Sequence, residues 1–160
     1  MDRTQIIAPP GVPQIVITRE FEAPPELLFR THIEPDLLVR WLGPSRLRMS
    51  VDHIDARHGG MWRYSHSDAD GAAYAFHGLY HGVPSPDAIV QTYEAEAMPG
   101  HVFLCTTTFE ARAGVTLLRQ NTVFQSVEDR DGYVAAGMEE GVVESMERLT
   151  ELVAELTREG

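Results

Sequence analysis

Along residues 46–126 apolar and polar positions alternate with a period near two, and turn residues interrupt the pattern at regular distances. The segments 46–55, 60–67, 73–83, 87–96, 101–111 and 115–126 therefore predict six strands. Asp70-Gly71, the stretch Pro84 to Pro86, Pro99-Gly100 and Ala113-Gly114 supply turns between them. Six consecutive strands with short connections predict an antiparallel meander. Upstream, QIVITREF (14–21) is rich in β-branched and aromatic residues and runs towards Pro24-Pro25, which predicts a first strand. PPELLFRTHI then opens a short helix, with Pro25 suited to its first turn and Leu27, Leu28 and Phe29 on an apolar side. EPDLLVRWL restarts helically after Pro35 and stops at Gly43-Pro44.

The period changes again near the C terminus. From about Asp131 to Leu156, Val134, Met138, Gly141, Val142, Ser145, Met146, Leu149, Leu152, Val153 and Leu156 fall on one stripe at helical spacing. Glu140, Glu144, Glu147, Glu151 and Glu155 lie opposite. The pattern predicts one helix of roughly 36 Å, long enough to cross a sheet. Gly137 and Gly141 stand near its first turns, where an interior glycine costs about 0.5–1 kcal/mol relative to alanine. With Gly141 and Ser145 in the stripe and Gly137 at its border, two readings stay open. The small residues let the helix approach the sheet closely, or they leave space beneath it.

The order strand, two short helices, six strands and long helix predicts an α+β fold. It is a twisted antiparallel sheet of about seven strands with the long C-terminal helix over its concave face. Residues 14–157 form one domain. Residues 1–13, with Pro9, Pro10 and Pro13 and no periodicity, read as a flexible N-terminal arm. A chain of 160 residues buries about 70% of its unfolded surface in one core.

Five strings in this order resemble the helix-grip fold of the START-like (SRPBCC) superfamily. They are ITREFEAPPELLF (17–29), EPDLLVRWLGP (34–44), GGMWRY (59–64), FHGLYHGVPSPDAIVQTYE (76–94) and GMEEGVVESMERLTELVAEL (137–156). Within that superfamily they resemble the bacterial relatives of the activator of the heat-shock chaperone ATPase, the AHSA-type family. The resemblance covers residues 14–157. It implies a cavity between sheet and long helix, which in relatives holds lipids, hormones or polyketide intermediates, and in one branch a chaperone contact tied to the stress response. The first expectation is non-catalytic binding of a small hydrophobic or amphipathic molecule, without a cofactor, in a cavity of several hundred Å3. The alternatives are a co-chaperone-like module that contacts a heat-shock chaperone, and an enzyme acting on an apolar substrate in the same cavity.

Composition narrows the partners. The net charge of −11 repels phosphate backbones and anionic headgroups, which argues against nucleic acid and membrane surfaces. The single cysteine, Cys105, forms no internal disulfide and suits a reducing compartment. No run reaches the ~20 apolar residues of a membrane span, and the N terminus lacks a secretory apolar stretch, so the cytoplasm is the expected location. All 13 basic side chains are arginine. Without lysine there is no P-loop phosphate lysine, Schiff base, kinase ATP lysine or serine–lysine pair. A homodimer through sheet edges or the convex face is left open.

The candidate ligand wall is aromatic: Trp41, Trp62, Tyr64, Phe76, Tyr80 and Tyr93 on the second short helix and the sheet. Met138, Gly141, Val142 and Ser145 face it from the long helix, and Tyr64, His66 or Arg63 orient the guest. Arg46, Arg48 and Arg63 suit an anionic ligand or, equally, pairing with some of the 24 acidic residues. No metal is expected. His77 and His81, four apart on a strand, are separated by ~13 Å, and HExxH and paired-cysteine motifs are absent. Glu94 and Glu96 share a face ~7 Å apart, which reads as a solvated outer surface. Cys105 within VFLCTTTF reads as a small inert hydrophobe, and there is no GxSxG elbow. No catalytic residue is expected.

Overall fold

The computed structural model describes residues 4–159. Its strands are β1 (Gln5–Ile7), β2 (Gln14–Phe21), β3 (Arg48–Ile54), β4 (Met61–Ser67), β5 (Ala73–Leu79), β6 (Ala88–Ala95), β7 (Val102–Arg112) and β8 (Val115–Phe124). The helices are α1 (Pro25–Ile33), α2 (Pro35–Leu38), α3 (Val127–Ala135) and α4 (Met138–Glu159). One antiparallel sheet has the order β1-β2-β8-β7-β6-β5-β4-β3. Because β2 and β3 lie far apart in it, their connection must cross the sheet, and α1 and α2 make that crossing. The result is the α+β helix-grip arrangement. No helix is long and apolar enough to cross a membrane among the described residues.

Three details correct the sequence reading. First, the sheet has eight strands, because part of the expected N-terminal arm joins it. Gln5, Ile6 and Ile7 pair with Thr18, Ile17 and Val16. Three residues are too few to show a period, but they cover backbone groups of β2 that would otherwise form the sheet edge. Residues 1–3 of the arm lie outside the described residues. Second, the second short helix ends at Leu38. Arg40 and Trp41 then donate backbone bonds to Leu37 and Leu38 in tight i→i+3 turns. Trp41 is thereby turned inwards, where its Nε1–H donates to the Thr31 carbonyl at 2.9 Å.

Third, the single C-terminal helix is two. Ser126 caps α3, its Oγ accepting from the Asp129 N–H at 3.1 Å. Gly137 then takes φ +94°, a left-handed conformation that ends α3 and starts α4 in a new direction. The feature that looked like a costly interior glycine is a helix terminator. Val134, expected in the buried stripe, is exposed as a consequence. The 22 residues of α4 still span roughly 33 Å.

The main core packs Leu28, Trp41, Trp62, Ile89, Leu118, Met146, Leu149 and Val153 between the helices and the concave face. A second cluster gathers Ile15, Ile17, Phe124 and Met138, and Val142 touches both. Gly78 is the close approach on which the inner wall depends. A Cβ there would stand 1.7 Å from the Thr92 carbonyl oxygen and 2.8 Å from the Trp62 ring.

Candidate functional site

The strand registers put one aromatic row on the concave face. Tyr64 lies opposite Phe76, Tyr93 opposite Phe103, and Phe103 opposite Phe124. The rings touch in sequence. Trp62 stacks on Tyr64 with centroids 5.1 Å apart and meets Tyr93 at 4.4 Å, and Tyr93 stacks on Phe103 at 5.1 Å. Tyr133 of α3 closes the run against Phe103 and Phe124, at 5.6 and 5.4 Å. Trp62 is 1% exposed and Tyr133 41%, so the row leads from the centre of the core to solvent.

A cavity of about 30 Å3 lies at the inner end of this row. Its walls are His32, Leu38, Trp41, Leu42, Ile54, Trp62, Tyr64, Tyr80, Gln91, Tyr93, Cys105, Thr107 and Gln120. That is room for about one water molecule. The sequence reading places a space of several hundred Å3 under the long helix. There, Met146, Leu149, Leu152 and Val153 of α4 are buried and fill the contact, so the remaining void sits beneath α1 and α2.

Two residues that line the cavity also carry a buried polar atom without a partner. His32 Nδ1 lies 2.8 Å from the Leu28 carbonyl, so Nδ1–H donates and Nε2 keeps a lone pair. His32 Nε2 and Trp62 Nε1–H have no hydrogen-bond partner among the described residues and no solvent contact. Each such buried atom costs about 1–3 kcal/mol. Desolvation lowers the His32 pKa to about 4, so the ring is neutral near neutral pH. Burial also raises the pKa values of the Tyr64, Tyr80 and Tyr93 hydroxyls. The Cys105 thiol is raised by burial too; it accepts from Thr122 Oγ1 at 3.8 Å and lies 3.9 Å from Thr107 Oγ1. Among the described residues no carboxylate, arginine or ammonium lines the cavity.

Of the residues named from the sequence, the structure brings Trp41, Trp62, Tyr64, Tyr80 and Tyr93 to this cavity. Phe76 and His66 extend the aromatic row beyond it, with Tyr64 5.7 Å from Phe76 and 5.4 Å from His66. Met138 joins the second cluster and Val142 bridges the two. A Cβ on Gly141 would meet nothing within 4 Å, so this glycine does not serve close packing. Ser145 is a fastener. Its Oγ accepts from the Gly43 N–H at 2.9 Å, while Arg148 donates to the Gly43 carbonyl at 2.7 Å and Glu144 takes the Ser45 N–H at 2.5 Å. These bonds tie α4 to the loop after α2.

Arg63 points the other way. On the convex face it pairs with Asp52 and with Glu96, whose other neighbour is His77 at 3.0 Å. Glu94 stands on the same surface, 3.0 Å from His77. A β-bulge between Val51 and His53 leaves Asp52 unpaired in the ladder, within reach of Arg63. Sequence reasoning missed His32, Gln91, Thr107 and Gln120. The alternation of β6, β7 and β8 could have placed the last three on the inner face. Nothing local marks His32, which reaches the site only because α1 packs over Trp41 and Phe109, at 4.8 and 5.2 Å. Among the described residues no group of three His, Cys, Asp or Glu side chains is placed to hold a metal. A second, open hollow on the outer side of the α3–α4 bend is lined by Val134, Val143 and four glutamates, and it encloses nothing.

The model of the family described as activator of Hsp90 ATPase homolog 1-like protein matches residues 22–154. None of the curated proteins matches the sequence significantly. Solved structures do. A protein of Rhodobacter sphaeroides superposes with a TM-score of 0.86 at 23% identity, over 94% of this chain and 98% of the other. Protein Ms6760 of Mycobacterium smegmatis gives 0.84 at 22%, over 94% and 96%. A protein of Arthrobacter aurescens gives 0.85 at 21%, over 94% and 91%. At these identities the likeness is one of fold.

Proposed function

The chain belongs to the activator of Hsp90 ATPase homolog 1-like family, and from that premise we propose that it binds a small hydrophobic or amphipathic molecule without transforming it. The guest lies along the aromatic inner wall, beneath α1 and the long helix. The observation that carries this reading is the continuous ring path from Trp62, 1% exposed, to Tyr133, 41% exposed. Such a path gives an apolar molecule a contact surface along its whole route inwards. Because the cavity holds only about 30 Å3, uptake along the ring path displaces side chains and, beside Tyr133, the start of α4. That start is joined to α3 through Gly137, and the space at Gly141 is open. Catalysis has less support. His32 would be the base, but among the described residues its only side-chain neighbour by hydrogen bonding is Thr31, and no carboxylate there orients it.

The test is native mass spectrometry of the chain purified from its own source, followed by titration with the neutral dye N-phenyl-1-naphthylamine. A co-purifying mass of one small molecule, or saturable one-to-one dye binding displaced by it, is the expected result. Bare protein that binds no dye up to its solubility limit would refute the reading. A chaperone contact, suggested by the family description, is the alternative. The glutamate-rich outer side of α4 is the surface it would use. Recovery of a chaperone in near-equal amount from a pull-down would place it first.

A further inference from the structure

His66 stands at the seam between β4, the loop after α2 and α4, and it is 7% exposed. On the sheet side its ring meets Tyr64 at 5.4 Å and Phe76 at 6.1 Å, with Met49 and Tyr74 opposite it on the neighbouring strands. On the other side it presses on Gly43. A Cβ there would stand 2.6 Å from the ring's Cε1 and 3.0 Å from Nδ1, so the ring lies directly against the Gly43 α carbon. Nδ1 is buried without a hydrogen-bond partner among the described residues. A neutral imidazole tolerates this, because it can carry its proton on Nε2 and turn only a lone pair towards Gly43. An imidazolium does not, because it has an N–H on both nitrogens and the one at Nδ1 would face a methylene group.

The surrounding charge opposes protonation as well. Arg148 of α4 acts on the ring and, after desolvation, lowers its pKa below the ordinary 6.5. Glu144, one turn earlier on the same helix, is committed to the Ser45 N–H and hydroxyl, at 2.5 and 3.3 Å. The strands face the ring with Met49, Phe76 and the uncharged phenols of Tyr64 and Tyr74. The residue under the ring is also the one that fastens the loop to α4. Gly43 donates its N–H to Ser145 Oγ at 2.9 Å and accepts from Arg148 at its carbonyl, at 2.7 Å. It directly follows Trp41 and Leu42, which line the cavity. We propose that residues 43–45 form a proton-controlled gate on that cavity. A proton on His66 drives the ring and Gly43 apart, frees the loop from α4 and draws Leu42 out of the wall. In the opened loop the hydrated ring takes up its proton near pH 6.5, whereas in the closed one it does so only at lower pH. Opening therefore becomes easier as the pH falls below 6.5. The gate is a property of the chain itself; its part in uptake or release of a guest rests on the binding reading above.

Amide hydrogen exchange of the full chain at pH 7 and pH 5.5, corrected for the intrinsic pH dependence of exchange, tests the gate. Protection of the Gly43 and Ser45 N–H groups should fall on acidification by up to about eightfold, the gain in ring protonation between those values at an ordinary pKa of 6.5. Small additions of urea should leave this exchange unchanged, because the opening is local, while exchange of the Leu118 amide in the interior strand β8 accelerates. In His66→Gln, which has no titrating ring, Gly43 protection should be the same at both pH values. N-phenyl-1-naphthylamine should enter the unaltered chain faster at pH 5.5 by a similar factor. Unchanged Gly43 protection in the unaltered chain would overturn the gate, and this readout stands even if the variant folds poorly. An equal fall in His66→Gln, or a fall as sensitive to urea as that of Leu118, would overturn it too. The expected exchange with equal dye rates at both pH values would overturn the gate's part in uptake. The expected exchange with no dye binding at either pH supports the gate and counts against the binding reading alone.

Discussion

Acidification should destabilise this protein through one histidine. His32 has a folded-state pKa of about 4 against an ordinary 6.5, because desolvation of the ring outweighs the bond to the Leu28 carbonyl. The unfolded chain therefore takes up a proton between those two values that the folded chain refuses. The stability this group contributes is complete above pH 6.5 and is lost as pH falls towards 4. Between pH 7 and pH 5 the linkage amounts to about 2 kcal/mol, as each unit of pKa difference is worth about 1.4 kcal/mol. His66, lowered by desolvation and by Arg148, acts in the same direction. A difference measurement isolates His32: urea unfolding of the unaltered chain and of His32→Gln at both pH values. The unaltered chain should lose about 2 kcal/mol more than the variant. Parallel losses, or a His32 ring signal titrating near its ordinary value in NMR, would refute the placement of this ring in a dry wall.

Two further predictions concern α4. Gly141→Ala should stabilise the fold by about 0.5–1 kcal/mol, since a helical position gains a better former and a Cβ there meets nothing within 4 Å. Gly137→Ala should cost about 1–2 kcal/mol because of its φ of +94°; thermal unfolding measures both, and equal effects would mean that α3 and α4 form one continuous helix in solution. Ser145→Ala should cost about 1 kcal/mol by leaving the Gly43 N–H without its acceptor. Chemical denaturation reads this, and a neutral result would show that the α4 fastening does not depend on Ser145.

Much of the architecture was legible because its signals are local. QIVITREF forms β2 over the expected residues, and the alternation from 46 to 126 yields β3 to β8 with ends displaced by a few residues. Side-chain period follows directly from backbone geometry, so it survives in the sequence without knowledge of any partner. The aromatic positions Trp62, Tyr64 and Tyr93 were visible for the same reason. What sequence could not show depends on contacts between distant segments. β1 exists because β2 presents an edge, and the bend at Gly137 is a backbone choice that a glycine permits without demanding.

The same division runs through the candidate site. The sequence by itself determined that an aromatic sheet face would meet an amphipathic helix, and that the chain is acidic and lysine-free. Tertiary structure alone decided that α4 packs tightly, that the void lies under α1 instead, and that His32 Nε2, Trp62 Nε1 and His66 Nδ1 are buried without partners among the described residues. Whether a polar atom is satisfied depends on every neighbour within about 3 Å, and those neighbours come from segments tens of residues apart that only folding brings together.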